Sequence, residues 1–159
     1  MVPSSIEVAR LFLAVKRIAV VGVSRNERDF SRGVVRALSG RGYDVVPVNP
    51  ALAEAEGLPA FPRVQDVVPP PEAVLLLVPA DRAEEAVRDC LVARVKRIWF
   101  HRGAGAGSAS DAALALCRAN GVAIVQGLCP FMALPGASFP HRLHGLVRRV
   151  LAAPHVIEL

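Results

Sequence analysis

Apolar residues recur along this chain in short runs separated by stretches of helical periodicity. The helical stretches come first. Ser4 or Ser5 can cap a helix whose apolar positions Val8, Leu11 and Phe12 share one face. "RIAVVGV" then reads as a strand buried on both sides, being apolar after its first residue. In "SRGVVRALSGRG" Val34, Val35 and Leu38 form a helix face that ends at Gly40 and Gly42. "YDVVPVNP" is a second strand, halted by Asn49 and Pro50. The irregular "ALAEAEGLPAFPRVQDVVPPP" reads as a short helix and turn followed by a one-turn helix. "EAVLLLV" is the most apolar strand and the expected sheet centre. A helix over "DRAEEAVRDCLVARV" follows, capped by Asp81, with Ala83, Ala86, Val87, Cys90 and Leu91 inward. The strand "RIWF", a helix over "SASDAALALCRANG" closing at Gly121, and the strand "VAIVQG" complete the series.

Strand and helix thus alternate five times with short connections. The pattern predicts an α/β fold: a parallel sheet of about five strands with helices on both faces. Helices at the N- and C-terminal ends flank it, all within one domain spanning 1–159. Such sheets bind ligands beyond the carboxyl ends of their strands, where strand order reverses. Candidate function therefore belongs in the residues just after each strand.

After the first strand stands "GVSRNERDFS". Gly22 permits a tight turn and close backbone approach, and Ser31 is expected to begin a helix whose free amides attract anions. Each favourable anion contact there contributes on the order of 1 kcal/mol. A dinucleotide fingerprint would need glycines where Ser24 and Glu27 stand. The longer loop carries Arg25, Arg28 and Arg32, whose forked guanidiniums suit a ligand with more phosphate than NAD. The competing reading is a solvated loop. After the second strand, Asn49 replaces the acid that would bind NAD's ribose hydroxyls, or else simply turns the chain with Pro50. Val78 and Pro79 offer an apolar edge for a flat base, or are punctuation before a helix. His101 and Arg102 open a loop with three glycines in five residues. A lone histidine is more often structural than catalytic. Cys129 reads as a packed small residue, because no His–Asp arrangement stands ready to activate it.

Composition narrows these readings. Of 159 residues 53% are hydrophobic and 21% charged, as in a packed globule. The net charge of +5 is almost all arginine, which suits phosphate binding and also follows from a GC-rich genome. Aromatic content of 5% is too low for stacking platforms on single strands, and no basic helix fits a duplex, so nucleic acid is excluded. Cys90, Cys117 and Cys129 form no CxxC pair, which argues against a disulfide framework or zinc knuckle. No signal peptide or membrane-length apolar run is read, and a cytoplasmic location is expected. No acid–base pair or metal cluster is recognised; His141 and His144 are expected at the surface.

Six segments resemble the CoA-binding domain family: "VVGVSRNERDFSRGVVRAL", "YDVVPVNP", "LPAFPRVQDV", "LLLVPADRAEEAV", "RIWFHRGAG" and "GLCP". They cover roughly residues 15–131 in the family's order. The family is similar to the CoA-binding part of the succinyl-CoA synthetase alpha subunit, and many members are small stand-alone bacterial proteins. The resemblance implies a Rossmann-like domain that binds coenzyme A. Gly22, Val23, Ser24, Arg25, Phe30, Ser31 and Arg32 would form the phosphate loop. Asn49 and Pro50 would lie near the adenosine, Val78 and Pro79 beside the nucleotide. His101, Arg102 and Gly103 would line the route of the pantetheine arm. A binding protein rather than an enzyme is implied, since the chain is too short for the domain that carries the synthetase's phosphorylated histidine. Two other readings stay open: an NAD(P)-binding redox sensor or oxidoreductase, and an interaction subunit with a vestigial pocket.

The tail "FPHRLHGLVRRVL" places Leu143, Leu146, Val147, Val150 and Leu151 on one face of a helix over about 139–152. Arg142, Arg148 and Arg149 fall largely on the other face. Docking on its own domain and a homodimer contact are its candidate roles. A membrane surface fits poorly, because the stretch is short and lacks a Trp anchor.

Overall fold

The computed structural model describes residues 5–101, 109–134 and 157–158. The first helix, α1 (Ser5–Phe12), buries Val8, Ala9 and Phe12. Leu11, expected on that face, is instead 61% exposed, because the helix turns Ala9 and Phe12 inward and Leu13 beyond its end completes the contact. Strand β1 (Arg17–Val21) follows, then α2 (Phe30–Ser39). Helix α2 starts one residue earlier than the expected Ser31, because Asp29 caps it: the Asp29 carboxylate accepts from the Ser31 amide at 2.8 Å. Val34, Val35 and Leu38 are fully buried, and Gly42 makes the left-handed turn into strand β2 (Asp44–Val48).

The next segment differs from its expected short helix. Strands β3 (Glu54–Ala55) and β4 (Leu58–Pro59) pair antiparallel around a turn at Glu56 and Gly57, both with positive φ. Two successive left-handed residues are the geometry of a tight hairpin turn, which a helix cannot contain. The one-turn helix is present as a 3₁₀ turn at Val64–Asp66. Strand β5 (Ala73–Leu76) leads into α3 (Ala80–Val92), whose N-cap position is Pro79, so Asp81 sits in the first turn rather than at the cap. Its charge still complements the helix dipole. Strand β6 (Arg97–Phe100), α4 (Asp111–Ala119), β7 (Ala123–Gln126), the short α5 (Pro130–Ala133) and β8 (Ile157–Glu158) complete the described elements.

The sheet order is β2-β1-β5-β6-β7-β8, with the first five strands parallel and β8 antiparallel at the edge. This is a Rossmann-like α/β fold, with β8 added to the expected five strands. Alternate residues feed two cores. Ile18, Val20, Leu75 and Trp99 pack with Val34 and Leu38 of α2 on one face. Ala19, Val21, Leu76 and Phe100 pack with Val87 of α3 and Leu114 of α4 on the other. Burial on both faces explains why these strands read as unbroken apolar runs. From β1 the chain crosses to β2 on one side and later to β5 on the other, so strand order reverses between β1 and β5.

Candidate functional site

At that reversal the loops after β1 and β5 touch. The Leu77 amide donates to the Val21 carbonyl at 2.9 Å, and the Gly22 amide donates to the Val48 carbonyl at 3.0 Å. Gly22 has φ +90, and a β-carbon on it would meet Val78 Cγ1 at 3.0 Å. Glycine is therefore required twice, by conformation and by space. Beside it opens a cleft of about 480 Å³ that brings together Gly22, Asn49, Pro50, Val78 and Pro79 from three separate loops.

The far wall of this cleft was not singled out from the sequence. It comes from the 3₁₀ turn and α3: Arg63, Val64, Arg82, Glu85 and Asp89 line it. Arg63 grips the Asp89 carboxylate through Nε at 3.0 Å and through a second guanidinium nitrogen. Arg63 lies within "LPAFPRVQDV", but nothing local in the sequence marks an arginine that pairs 26 residues away.

Asn49 is a tie between loops. Its Nδ2 donates to the Val23 carbonyl at 2.7 Å, and its Oδ1 accepts from the Ala51 amide at 2.7 Å. Both ends of the amide are used, which is why an acid would not serve here. The β1–α2 loop is also internally bonded. Ser24 Oγ accepts from the Asn26 amide at 3.1 Å, and Asn26 Oδ1 accepts from the Arg28 amide at 3.0 Å. Ser31 Oγ accepts from the Ser24 amide at 2.9 Å and donates to Asp29. Arg32 is buried, with its Nε donating to the Ser24 carbonyl at 2.6 Å. Arg25 and Arg28 are exposed on the loop. The start of α2 is thus occupied by the protein's own carboxylate, Asp29.

A third group lies at the ends of β6 and β7. His101 is buried and stacks on Phe30, ring centroids 4.6 Å apart at 17°, while Phe131 meets Phe30 edge-on at 5.4 Å. Trp99 Nε1 donates to the Leu128 carbonyl at 3.0 Å, and His101 Nδ1 lies 3.5 Å from the same oxygen. Phe30, a helix residue 39% exposed, is the face this group shows to solvent. Val23 is fully buried behind the loop. Arg102, Gly103, the glycine loop, His141, His144 and the helix over about 139–152 lie outside the described residues.

Cys90, Cys117 and Cys129 are all buried. Burial, with Cys117 nearby, pushes the Cys90 thiol well above its ordinary range, so it is neutral at physiological pH. Among the described residues no group of three or more His, Cys, Asp or Glu could hold a metal ion, and no helix is long and apolar enough to cross a membrane.

Residues 16–135 match the family of the CoA binding domain. The chain belongs to that family. This CoA binding domain is 27% identical over 127 residues to the uncharacterized protein YneT of Bacillus subtilis (strain 168), spanning 80% of this chain and 91% of YneT. It superposes on a hypothetical protein from Pyrococcus horikoshii OT3 with a TM-score of 0.73 and 26% identity, over 94% of each chain. It also matches a dinucleotide forming acetyl-coenzyme A synthetase 1 from Ca. Korarchaeum cryptofilum, solved with phosphate and ADP, at a TM-score of 0.63 and 27% identity. That match covers 76% of this CoA binding domain and 27% of the synthetase chain.

Proposed function

We propose that this chain binds coenzyme A, free or acylated, and acts as a binding module. The adenosine enters the cleft between Gly22, Asn49 and Val78, with Pro50 and Pro79 at its rim. Its diphosphate runs along the β1–α2 loop past Val23 and Ser24 and meets the exposed Arg25 and Arg28. Ser31 and Arg32 act from behind by fixing Ser24, and the Asp29 cap keeps the diphosphate off the helix terminus itself. The pantetheine arm passes Phe30 and His101 toward Arg102 and Gly103.

The observation that carries this reading is the open cleft at the strand reversal, walled by Gly22 and Val78. Family membership supports coenzyme A as its ligand, and the likeness to an acetyl-coenzyme A synthetase agrees with it. A nicotinamide dinucleotide fits less well, because the Asn49 amide is committed to Val23 and Ala51 and leaves no carboxylate for ribose hydroxyls. Calorimetric titration with CoA and with NADH tests the proposal. Saturable binding of CoA with no heat from NADH is expected; the reverse order of preference rejects it.

A further inference from the structure

The tetrapeptide Val-Lys-Arg-Ile occurs twice in the sequence, at 15–18 and 95–98, and its copies hold the chain's two lysines. In the fold each copy opens a parallel strand, β1 and β6, at the same end of the sheet. The carbonyls of Lys16 and Lys96 begin the pairing there, accepting from the Asp44 and Ala123 amides at 2.9 Å each. This end is the N-terminal rim, about 15 Å from the cleft at Gly22 along the length of β1. Two carboxylates stand on the rim, and both are engaged. Asp44 pairs with Arg17, and Glu72 accepts from the Lys16 and Arg17 amides. Glu72 is shared further, lying within reach of the charges of Arg97 and Lys16. Glu158 lies one row further in, on β8 at the sheet's far edge. Among the described residues Lys16, Arg94 and Lys96 are exposed and form no ion pair.

Apolar residues are exposed beside these cations: Leu11, Val68 and Val92 are 61, 79 and 68% exposed. Arg97 reaches back to the Leu11 and Phe12 carbonyls, and Arg17 Nε donates at 2.9 Å to the Pro69 carbonyl, next to Val68. Val92 ends α3, two residues before Arg94. Arg94 and Arg97 complement the C-terminal ends of α3 and α1, but Lys16 and Lys96 head strands, which have little net dipole. Cations around exposed aliphatic side chains match a surface of carboxylates around aliphatic side chains. Arginine forks add geometric preference for carboxylates. A membrane interface favours aromatic anchors, whereas these three exposed residues are aliphatic. We propose that the N-terminal rim docks an acidic protein partner, one whose carboxylates surround aliphatic side chains. The proposal is independent of the coenzyme A reading.

The test measures, by fluorescence anisotropy in about 0.15 M salt, the binding of a dye-labelled short peptide of glutamate and leucine. Wild type is expected to bind it several-fold more tightly than an all-glutamate peptide, because the leucines cover exposed aliphatic surface. The triple variant Lys16→Gln, Arg94→Gln, Lys96→Gln is expected to keep its Tm and to weaken binding about tenfold. Val68→Ser with Val92→Ser is expected to weaken it about threefold. Absence of binding, or an affinity unchanged in either variant, overturns the proposal. Should a variant fail to fold, amide shifts in isotope-labelled wild type decide. The peptide is expected to move the Val92 and Lys96 resonances and to spare Gly22; the opposite pattern overturns it. Phosphatidylserine vesicles and a DNA duplex are titrated in parallel, and tighter binding of either overturns the assignment to an acidic protein. Saturating CoA is expected to leave the peptide's affinity unchanged. A protein that binds the peptide in this way yet never binds CoA rejects the coenzyme A reading and leaves this one standing.

Discussion

Gly22 and Val78 are separated by less than a side chain: a β-carbon built on Gly22 lies 3.0 Å from Val78 Cγ1. The loops after β1 and β5 can close the sheet reversal only because one of them has no side chain there. Gly22→Ala is therefore expected to destabilise the fold by about 2 kcal/mol, through left-handed strain and the forced contact together. Urea denaturation measures this. Adding Val78→Ala should recover the Cγ1 contact and leave both the strain and the approach to the Leu77 and Val78 backbone at 3.1 Å, so a partial, non-additive recovery in the double variant is the expected signature.

Asn49 joins the β1 and β2 loops through both ends of its amide. Asn49→Ala is expected to cost about 1–3 kcal/mol, since it leaves the Val23 carbonyl and Ala51 amide without that partner. Asn49→Asp keeps the acceptor for Ala51 but sets a carboxylate against the Val23 carbonyl. It is expected to be no more stable than Asn49→Ala in urea, and to gain no NADH binding.

The sheet was legible because each parallel strand is buried on both faces and each connection is short. Val34, Val35 and Leu38 announced the inward face of α2 by spacing alone, and all three are fully buried. The β3–β4 hairpin was not legible. Its Ala- and Glu-rich stretch has helical propensity, and a Glu56–Gly57 turn lacks the Asn or Asp that usually marks paired left-handed residues. The arginines of the first loop were visible, but their partners were not: Arg32 meets Glu56 across 24 residues. Arg63, on the cleft's far wall, escaped for the same reason. Side-chain pairs set by tertiary packing leave no periodic trace.

Glu72 ties the start of β1 to the segment before β5. Its Oε1 accepts from the Lys16 and Arg17 amides, each at 3.0 Å, and the Arg17 bond foremost holds the carboxyl below its usual range. A depressed folded value means that the unfolded chain binds more protons in the acid range. The stabilisation is complete above the unfolded value, about 4.3, and is lost as pH falls through the lower folded value. Glu72→Gln is expected to be less stable than wild type at neutral pH and to flatten the decline of stability below about pH 5. Denaturation midpoints across the acid range check this. An unchanged acid slope would count against the Glu72 bonds.

Cys90 and Cys117 are fully buried in the α3–α4 core, and burial keeps the Cys90 thiol protonated. In the native protein both are expected to resist a thiol reagent at about pH 8 and to react promptly in denaturant. Prompt native labelling, located by peptide mass spectrometry, would contradict the packing.

The most direct test places the ligand. In an isotope-labelled sample titrated with CoA, the backbone amide resonances of Gly22, Ser24 and Val78 are expected to shift together and to saturate at one equivalent. Saturating CoA that leaves the Gly22 and Val78 resonances unmoved would contradict adenosine binding at the strand reversal.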